Sequence, residues 1–99
     1  MKSITAAGLK QLMAGRPDLT LIDVREMYEH DAFNIGGRLI PLGEVMHYAA
    51  EIPQDKPVVF YCRKGIRSAI AIQKLELKLG LTNLINLTGG TDAWLEDQI

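Results

Sequence analysis

The segment VVFYCRKGIRS, residues 58–68, joins four consecutive apolar residues to a short basic loop. An apolar run of this length, opened by Pro57, is typical of a central parallel strand that is covered on both faces. Apolar residues at roughly helical spacing follow from Arg67 to Leu79, and Gly80 ends them. A strand, a loop and a helix in succession predict part of a parallel sheet, with Cys62 at the carboxyl end of its strand.

Strands and helices alternate on both sides of this segment. The predicted strands are residues 3–4, 19–24, 39–40, 58–61 and 84–87, and the predicted helices are residues 6–14, 25–31, 44–50 (a turn or two), 67–79 and 92–96. This alternation predicts an α/β fold, a small and mostly parallel sheet with helices on both faces. Because 99 residues leave room for one modest core, we expect a single domain over residues 1–99.

The composition excludes several classes of protein. Apolar residues make up 47% of the chain and charged residues 23%, which is ordinary for a globular domain and excludes a disordered one. The net charge is −1, so we expect no nucleic acid and no membrane as partners. The single cysteine excludes an internal disulfide, and together with the scattered His30 and His47 it predicts no metal site.

The N-terminal residues carry no targeting signal that the sequence makes visible. The opening MKSITAAGLKQL lacks the apolar core of a signal peptide, and no window approaches 18 uninterrupted apolar residues. A free cysteine without a partner is typical of a reducing compartment. We therefore expect a cytoplasmic protein.

Cys62 follows its strand where open α/β sheets place their ligands. The backbone N–H groups after it can turn toward the sulfur, with Gly65 supplying the unusual backbone angles and the following helix the positive end of its dipole. Arg63, Lys64 and Arg67 add three positive charges. All these effects favour a thiolate, so the sequence predicts a nucleophilic Cys62 with a lowered pKa.

The alternative is that Cys62 is a small buried side chain beside a solvated basic loop. Cations at a helix N-terminus oppose the helix dipole, however, and three of them there are better explained by an anion or a thiolate at the centre. The nucleophile is the interpretation that we carry forward.

At this loop the sequence resembles a known family. The residues CRKGIR resemble the active-site loop of single-domain rhodaneses, sulfurtransferases that carry sulfur as a cysteine persulfide. Further resemblances, in the same order along nearly the whole chain, are DVRE at 23–26, YE at 28–29, IPL at 40–42, GG at 89–90 and AW at 93–94. The segment FNIGGR at 33–38 departs from the GHIPGA that the family commonly shows, so no contact is carried over from it.

The resemblance implies sulfur transfer through a persulfide on Cys62, a scheme that requires no cofactor. It implies a small sulfur-containing anion such as thiosulfate as donor, a thiol or a protein as acceptor in the cell, and cyanide as acceptor in vitro. The residues implied in binding substrate or stabilising the persulfide are Arg63, Lys64, Gly65, Ile66, Arg67 and Ser68. Which of the three cations touches the donor stays open. Asp23 and Arg25 either support this loop or form an ion pair that holds a turn.

Two further functions compete with a thiosulfate sulfurtransferase. One is a relay or binding module that passes persulfide sulfur between proteins, with little activity on small donors. The other is a phosphatase-like or inactive regulatory domain. Four residues separate Cys62 from Arg67, whereas the loop of cysteine phosphatases has five residues at this place, C-x₅-R. The shorter loop makes a tighter ring of amides, which suits one added sulfur atom better than a tetrahedral phosphate.

Overall fold

A computed structural model describes residues 1–97 of the chain. The strands are β1 (Lys2–Ile4), β2 (Thr20–Asp23), β3 (Arg38–Leu39), β4 (Val58–Tyr61) and β5 (Leu84–Leu87), and the helices are α1 (Ala6–Gly15), α2 (Met27–Ala32), α3 (Ile66–Leu79) and α4 (Gly90–Glu96). Two 3₁₀ turns, Leu42–Glu44 and Ala49–Glu51, lie between β3 and β4. The predicted alternation of strands and helices is confirmed.

The five strands form one parallel sheet in the order β1-β5-β4-β2-β3. The central strand is β4, and all four of its residues are buried. Asp23 at the end of β2 lies opposite Tyr61 at the end of β4, so the two strands end at the same edge. Cys62 follows directly at that edge.

Helices cover both faces of the sheet, as the sequence predicts. On one face the α3 residues Ala71, Ile72 and Leu75 pack with Val58 and Phe60 of β4. On the other face Leu9 of α1 and Trp94 of α4 pack with the alternate β4 residues Val59 and Tyr61. Because side chains alternate along a strand, Cys62 lies on the α3 face with Val58 and Phe60.

Several predicted bounds shift by one or two residues in the structure, and one predicted helical segment is replaced by 3₁₀ turns. The helix predicted to begin at Arg25 begins at Met27, because the Arg25 side chain pairs with Asp23 and Glu26 forms a capping box with Glu29. The helical turns predicted over residues 44–50 are the two 3₁₀ turns. The strand predicted at 39–40 is Arg38–Leu39, one residue earlier.

In residues 1–97, every helix is too short or too polar to cross a lipid bilayer.

Candidate active site

Cys62 lies between the central strand and the start of α3. The strand β4 ends at Tyr61 and α3 begins at Ile66, so only residues 62–65 connect them. The Cys62 side chain is 1% exposed. Its sulfur is therefore held within the fold, at the N-terminus of a 14-residue helix.

The Cys62 sulfur accepts hydrogen bonds from the backbone of the segment that follows it. The Gly65 N–H donates to Sγ over 3.1 Å and the Ser68 N–H over 3.4 Å. The N-cap of α3 is Gly65, which offers no side chain to satisfy these N–H groups. The sulfur takes the place of a capping oxygen, and a sulfur that carries negative charge gains most from it.

Gly65 makes this turn possible. Its φ is +92°, a left-handed conformation that L side chains rarely adopt. A Cβ at this position would also lie 3.2 Å from both the Leu87 carbonyl oxygen and the Gly89 nitrogen. Backbone angle and space together require glycine, as the sequence predicts.

The start of α4 holds the loop from the other side. The Thr91 N–H donates to the Cys62 carbonyl oxygen over 2.9 Å, and the Asp92 N–H to the Arg63 carbonyl oxygen over 3.0 Å. Gly90 permits this contact, because a Cβ there would lie 2.2 Å from the Cys62 carbonyl oxygen. Two loop carbonyls therefore turn toward α4, while the N–H groups of Gly65 and Ser68 turn toward the sulfur.

These contacts decide the ionisation of Cys62. Burial raises the pKa of the thiol. The Ser68 hydroxyl and the Ser68, Gly65 and Lys64 N–H groups can donate hydrogen bonds to the thiolate, and together these outweigh burial. The pKa of Cys62 therefore lies below its ordinary value, the direction that the sequence predicts. A lowered pKa increases the fraction of thiolate, the nucleophilic form.

A cavity of about 220 Å³ lies beside the sulfur. Its lining residues are Cys62, Arg63, Lys64, Ile66 and Arg67. The loop thus brings all three predicted cations to one opening. Ile66, although apolar, is 66% exposed there.

Arg67 is fixed by a carboxylate from another element. Its Nη1 and Nη2 donate to Oε1 and Oε2 of Glu29 in α2, over 2.7 and 2.9 Å. The hydrogen bonds from Arg67 hold the pKa of Glu29 at about 2. Arg63 has a looser partner, with its Nε 3.3 Å from an Asp92 carboxylate oxygen, and Lys64 is exposed.

Asp23 and Arg25 form a buried ion pair outside this cavity. Arg25 donates to Asp23 from its backbone N–H and from Nε and Nη2, and Nη2 also donates to the Phe33 carbonyl oxygen. His30, which has no predicted role, lies with Nδ1 2.9 Å from the Asp23 carboxylate. This ion pair holds the turn between β2 and α2, and Arg25 also lines a second cavity with Arg63 and Asp92. A role of the pair in supporting the loop stays a prediction.

Two contributors to the site carry no role in the sequence prediction. Glu29 binds Arg67, and Asn86 of β5 bonds to Ser68 and to the Gly65 carbonyl oxygen. Glu29 lies in a segment that carries the resemblance, at 28–29, and Asn86 lies in the predicted strand at 84–87. Motif resemblance and strand prediction place these residues in elements of the fold, but they do not predict which side chains contact the Cys62 loop.

Among residues 1–97, His, Cys, Asp and Glu nowhere form a group of three or more that could hold a metal ion.

A parallel α/β sheet whose central strand is followed by a buried cysteine, with backbone N–H groups directed at its sulfur, defines the class of the site, a cysteine loop at the N-terminus of a helix. A family model described as the Rhodanese-like domain matches residues 5–97. The chain therefore belongs to the rhodanese-like domain family, which confirms the resemblance of the loop.

Similar proteins cover the chain over most of its length. It is 41% identical to the uncharacterized protein YqhL of Bacillus subtilis, over 95% of this chain and 72% of YqhL. It is 35% identical to a protein named sulfurtransferase from Allochromatium vinosum, over 95% of this chain and 88% of that protein. The crystal structure of a rhodanese-related protein from Thermoplasma volcanium superposes with a TM-score of 0.87 at 32% identity, covering 99% of this chain and 94% of that one.

Other relatives differ in size and in name. The chain spans 24% of the length of the probable adenylyltransferase/sulfurtransferase MoeZ of Mycobacterium tuberculosis, at 37% identity over 93% of this chain. Further relatives are named thiosulfate sulfurtransferase GlpE, from Coxiella burnetii, and putative sulfur carrier protein YrkF, from Bacillus subtilis. These names support a sulfurtransferase class.

Proposed function

We propose that this chain transfers sulfane sulfur from a thiosulfate-type anion to a thiophilic acceptor through a persulfide on Cys62. The observation that carries the proposal is the position of the Cys62 sulfur. It accepts N–H hydrogen bonds from Gly65 and Ser68 and lies beside a cavity lined by three cations.

The first half-reaction forms the persulfide. The Cys62 thiolate attacks the outer sulfur of thiosulfate, a sulfur–sulfur bond forms to Cys62, and sulfite leaves with the electron pair of the bond that breaks. The outer sulfur then carries the negative charge, and the N–H groups at the start of α3 stabilise it as an oxyanion hole stabilises an oxyanion.

The second half-reaction removes the sulfur. A nucleophilic acceptor attacks the outer sulfur and the Cys62 thiolate leaves with the bonding pair, ready for another cycle. Cyanide gives thiocyanate by this route, and a thiol gives a persulfide. Two half-reactions through one covalent intermediate predict ping-pong kinetics.

The cations suit an anionic donor. Thiosulfate is a dianion, and Arg63, Lys64 and Arg67 all line the cavity. Glu29 takes two of the Arg67 nitrogens, so Arg67 is held in place while Arg63 and Lys64 extend from the rim. We assign attraction of the donor to Arg63 and Lys64 and orientation of the loop to Arg67.

One observation favours a protein acceptor and with it the relay function. Ile66 at the cavity is 66% exposed, and Tyr28 of α2, which lines a second cavity together with Arg63, is 75% exposed. Large apolar side chains beside an anion-binding cavity contribute little to holding thiosulfate, but they suit contact with a protein surface. The same Cys62 chemistry serves both functions.

Thiocyanate production from thiosulfate and cyanide tests the proposal. We expect turnover with ping-pong kinetics by the intact chain and none by Cys62→Ser, because oxygen cannot form the persulfide. Lys78→Gln, at the far end of α3 from the loop, is the matched control and should turn over normally.

The mass of the protein separates the remaining outcomes. Without turnover by the intact chain, one added sulfur on Cys62 after exposure to a persulfide donor would support the relay in place of the thiosulfate enzyme. Absence of both turnover and added sulfur would contradict sulfur transfer and favour a regulatory domain.

A further inference from the structure

The Ser68 hydroxyl has one proton and two acceptors. Ser68 Oγ lies 2.5 Å from Oδ1 of Asn86 and 3.4 Å from the Cys62 sulfur. All three side chains are buried. A hydroxyl donates one hydrogen bond at a time, so Asn86 and Cys62 compete for this proton.

The orientation of the Asn86 amide determines which acceptor receives the hydrogen bond from the Ser68 hydroxyl. Asn86 Nδ2 donates to the Gly65 carbonyl oxygen over 3.1 Å, which directs Oδ1 toward Ser68. An amide oxygen carries no proton, so Ser68 must be the donor in the Ser68–Asn86 bond. A flipped amide would place two oxygens against each other at Gly65, and this excludes the reverse arrangement.

The proton on Ser68 therefore points away from sulfur in this geometry. The contact between Cys62 and Ser68 then requires the thiol to donate and the hydroxyl oxygen to accept. This arrangement matches neutral Cys62. A thiolate has no proton to give, so its contact with Ser68 is favourable only when the hydroxyl turns toward it.

We propose that Asn86 is a positioning residue that holds the Ser68 hydroxyl proton while Cys62 is a thiol and releases that proton to the sulfur when Cys62 becomes a thiolate. The Cys62 proton leaves for solvent, and Ser68 keeps its own proton and rotates it from Asn86 Oδ1 to Cys62 Sγ. No covalent bond of Ser68 breaks. The inference rests on the proposed function only in taking Cys62 as the nucleophile.

Asn86 has two opposing effects on the nucleophile. Through Nδ2 it holds the Gly65 carbonyl, which keeps the Gly65 N–H directed at sulfur and favours the thiolate. Through Oδ1 it withholds the Ser68 proton and disfavours the thiolate. A double-mutant cycle with Ser68→Ala separates the effects, because only the second one needs the hydroxyl.

Alkylation of Cys62 by iodoacetamide across a pH series measures the thiolate without any sulfur transfer. Asn86→Leu removes both contacts at similar volume. Two ratios of alkylation rates are compared at a pH below the midpoint of the wild-type profile. The first is Asn86→Leu over wild type, and the second is the double variant over Ser68→Ala. We expect the first ratio to exceed the second by about 2- to 10-fold, which corresponds to the free energy of one neutral hydrogen bond. At high pH, where Cys62 is fully ionised, this excess should vanish. Equal ratios in the two backgrounds would overturn the proposal.

A second measurement needs no variant of Asn86. In the wild-type chain, the Asn86 side-chain amide resonance should shift with the ionisation of Cys62, and the shift should be much smaller in Ser68→Ala. Asn83, whose amide donates to Pro53 and Lys56 carbonyls, is the internal control and should stay constant. An Asn86 resonance that moves equally in both chains would contradict the proton rotation. Alkylation rates that follow the double-mutant cycle as expected, without thiocyanate production, would contradict the thiosulfate sulfurtransferase and leave the role of Asn86 intact.

Discussion

Glu29 is the residue on which the position of Arg67 depends. Its pKa of about 2 lies below the ordinary value of 4.5, so the ion pair stabilises the folded chain fully above pH 4.5 and loses that effect as the pH falls toward 2. Arg67 is 34% exposed, and solvent screening limits the energy. We expect Glu29→Gln to lower the free energy of unfolding by about 1–2 kcal/mol at neutral pH.

Urea unfolding at pH 7 and at pH 3 checks this prediction. The glutamine of the variant does not titrate. At pH 3 Glu29 of the unfolded wild-type chain, with its ordinary pKa of 4.5, is protonated while the folded chain keeps the carboxylate ionised, so the difference between the variant and the wild type should be smaller than at pH 7. Glu51→Gln, which removes a carboxylate from an exposed pair with Arg38, is the matched control and should have a small effect at both pH values. A Glu29→Gln penalty of equal size at both would show that the charge of Glu29 is not what matters.

At the same scale, the sequence predicts the nucleophile but not its supports. Cys62, Gly65 and Ser68 are neighbours in the chain, and local geometry is enough to bring their N–H groups and sulfur together. Glu29 lies 38 residues from Arg67 and Asn86 lies 18 from Ser68. Those contacts depend on which strands and helices become neighbours, and no local spacing encodes that.

At the scale of elements, the start of α4 packs closely against the backbone of the Cys62 loop. Gly90 has φ +60°, and a Cβ there would lie 2.2 Å from the Cys62 carbonyl oxygen. Gly80 has a similar φ of +66°, but nothing lies within 4 Å of its Cβ position. An alanine at either position would adopt the same strained left-handed backbone, but only at Gly90 would its Cβ also clash with neighbouring atoms.

Alanine at each position therefore separates strain from space. We expect Gly80→Ala to destabilise the chain by about 1 kcal/mol, the cost of a left-handed alanine. Gly90→Ala should cost about 3 kcal/mol or more, because the Cys62–Arg63 backbone must also move. It should shift Cys62 alkylation to higher pH as the loop N–H groups lose their positions. Thermal unfolding and the alkylation profile measure both effects, and equal penalties would show that the close approach carries no energy.

Elements were predicted best where packing and local chemistry agree. The strand at 84–87 matches to the residue, and the long helix begins one residue earlier than predicted, because both have a continuous buried face. The helix predicted from Arg25 begins later, since Arg25 leaves the helical path to pair with Asp23. An ion pair across a turn has no periodicity, so hydrophobic patterning cannot reveal it.

For the whole molecule, the class of fold follows from the alternation of elements, but the order of strands does not. The sheet places β5 between β1 and β4, and this brings Asn86 and the start of α4 against the Cys62 loop. Local patterns indicate that strands are buried and parallel. They do not state which strand is next to which, and the supports of the site depend on that order.

The distribution of charge over the molecule predicts that donor binding depends on local and not on net charge. The net charge is −1, so the whole chain does not attract an anion, whereas Lys64 lies at the cavity. Lys78 lies in the last turn of α3, about 18 Å along the helix from Ile66 at 1.5 Å per residue. That distance exceeds the Debye length of about 10 Å at 0.1 M salt.

Lys64→Gln and Lys78→Gln therefore make the same change in net charge at two distances from Cys62. At 0.1 M salt we expect Lys64→Gln to lower kcat/KM for thiosulfate by about 2- to 5-fold, and Lys78→Gln to leave it unchanged. Raising the salt to about 1 M should remove most of the Lys64 effect, because the Debye length falls to about 3 Å. Steady-state rates of thiocyanate formation provide the measurement. Equal losses in the two variants would mean that the donor responds to the charge of the whole molecule rather than to the cations around Cys62.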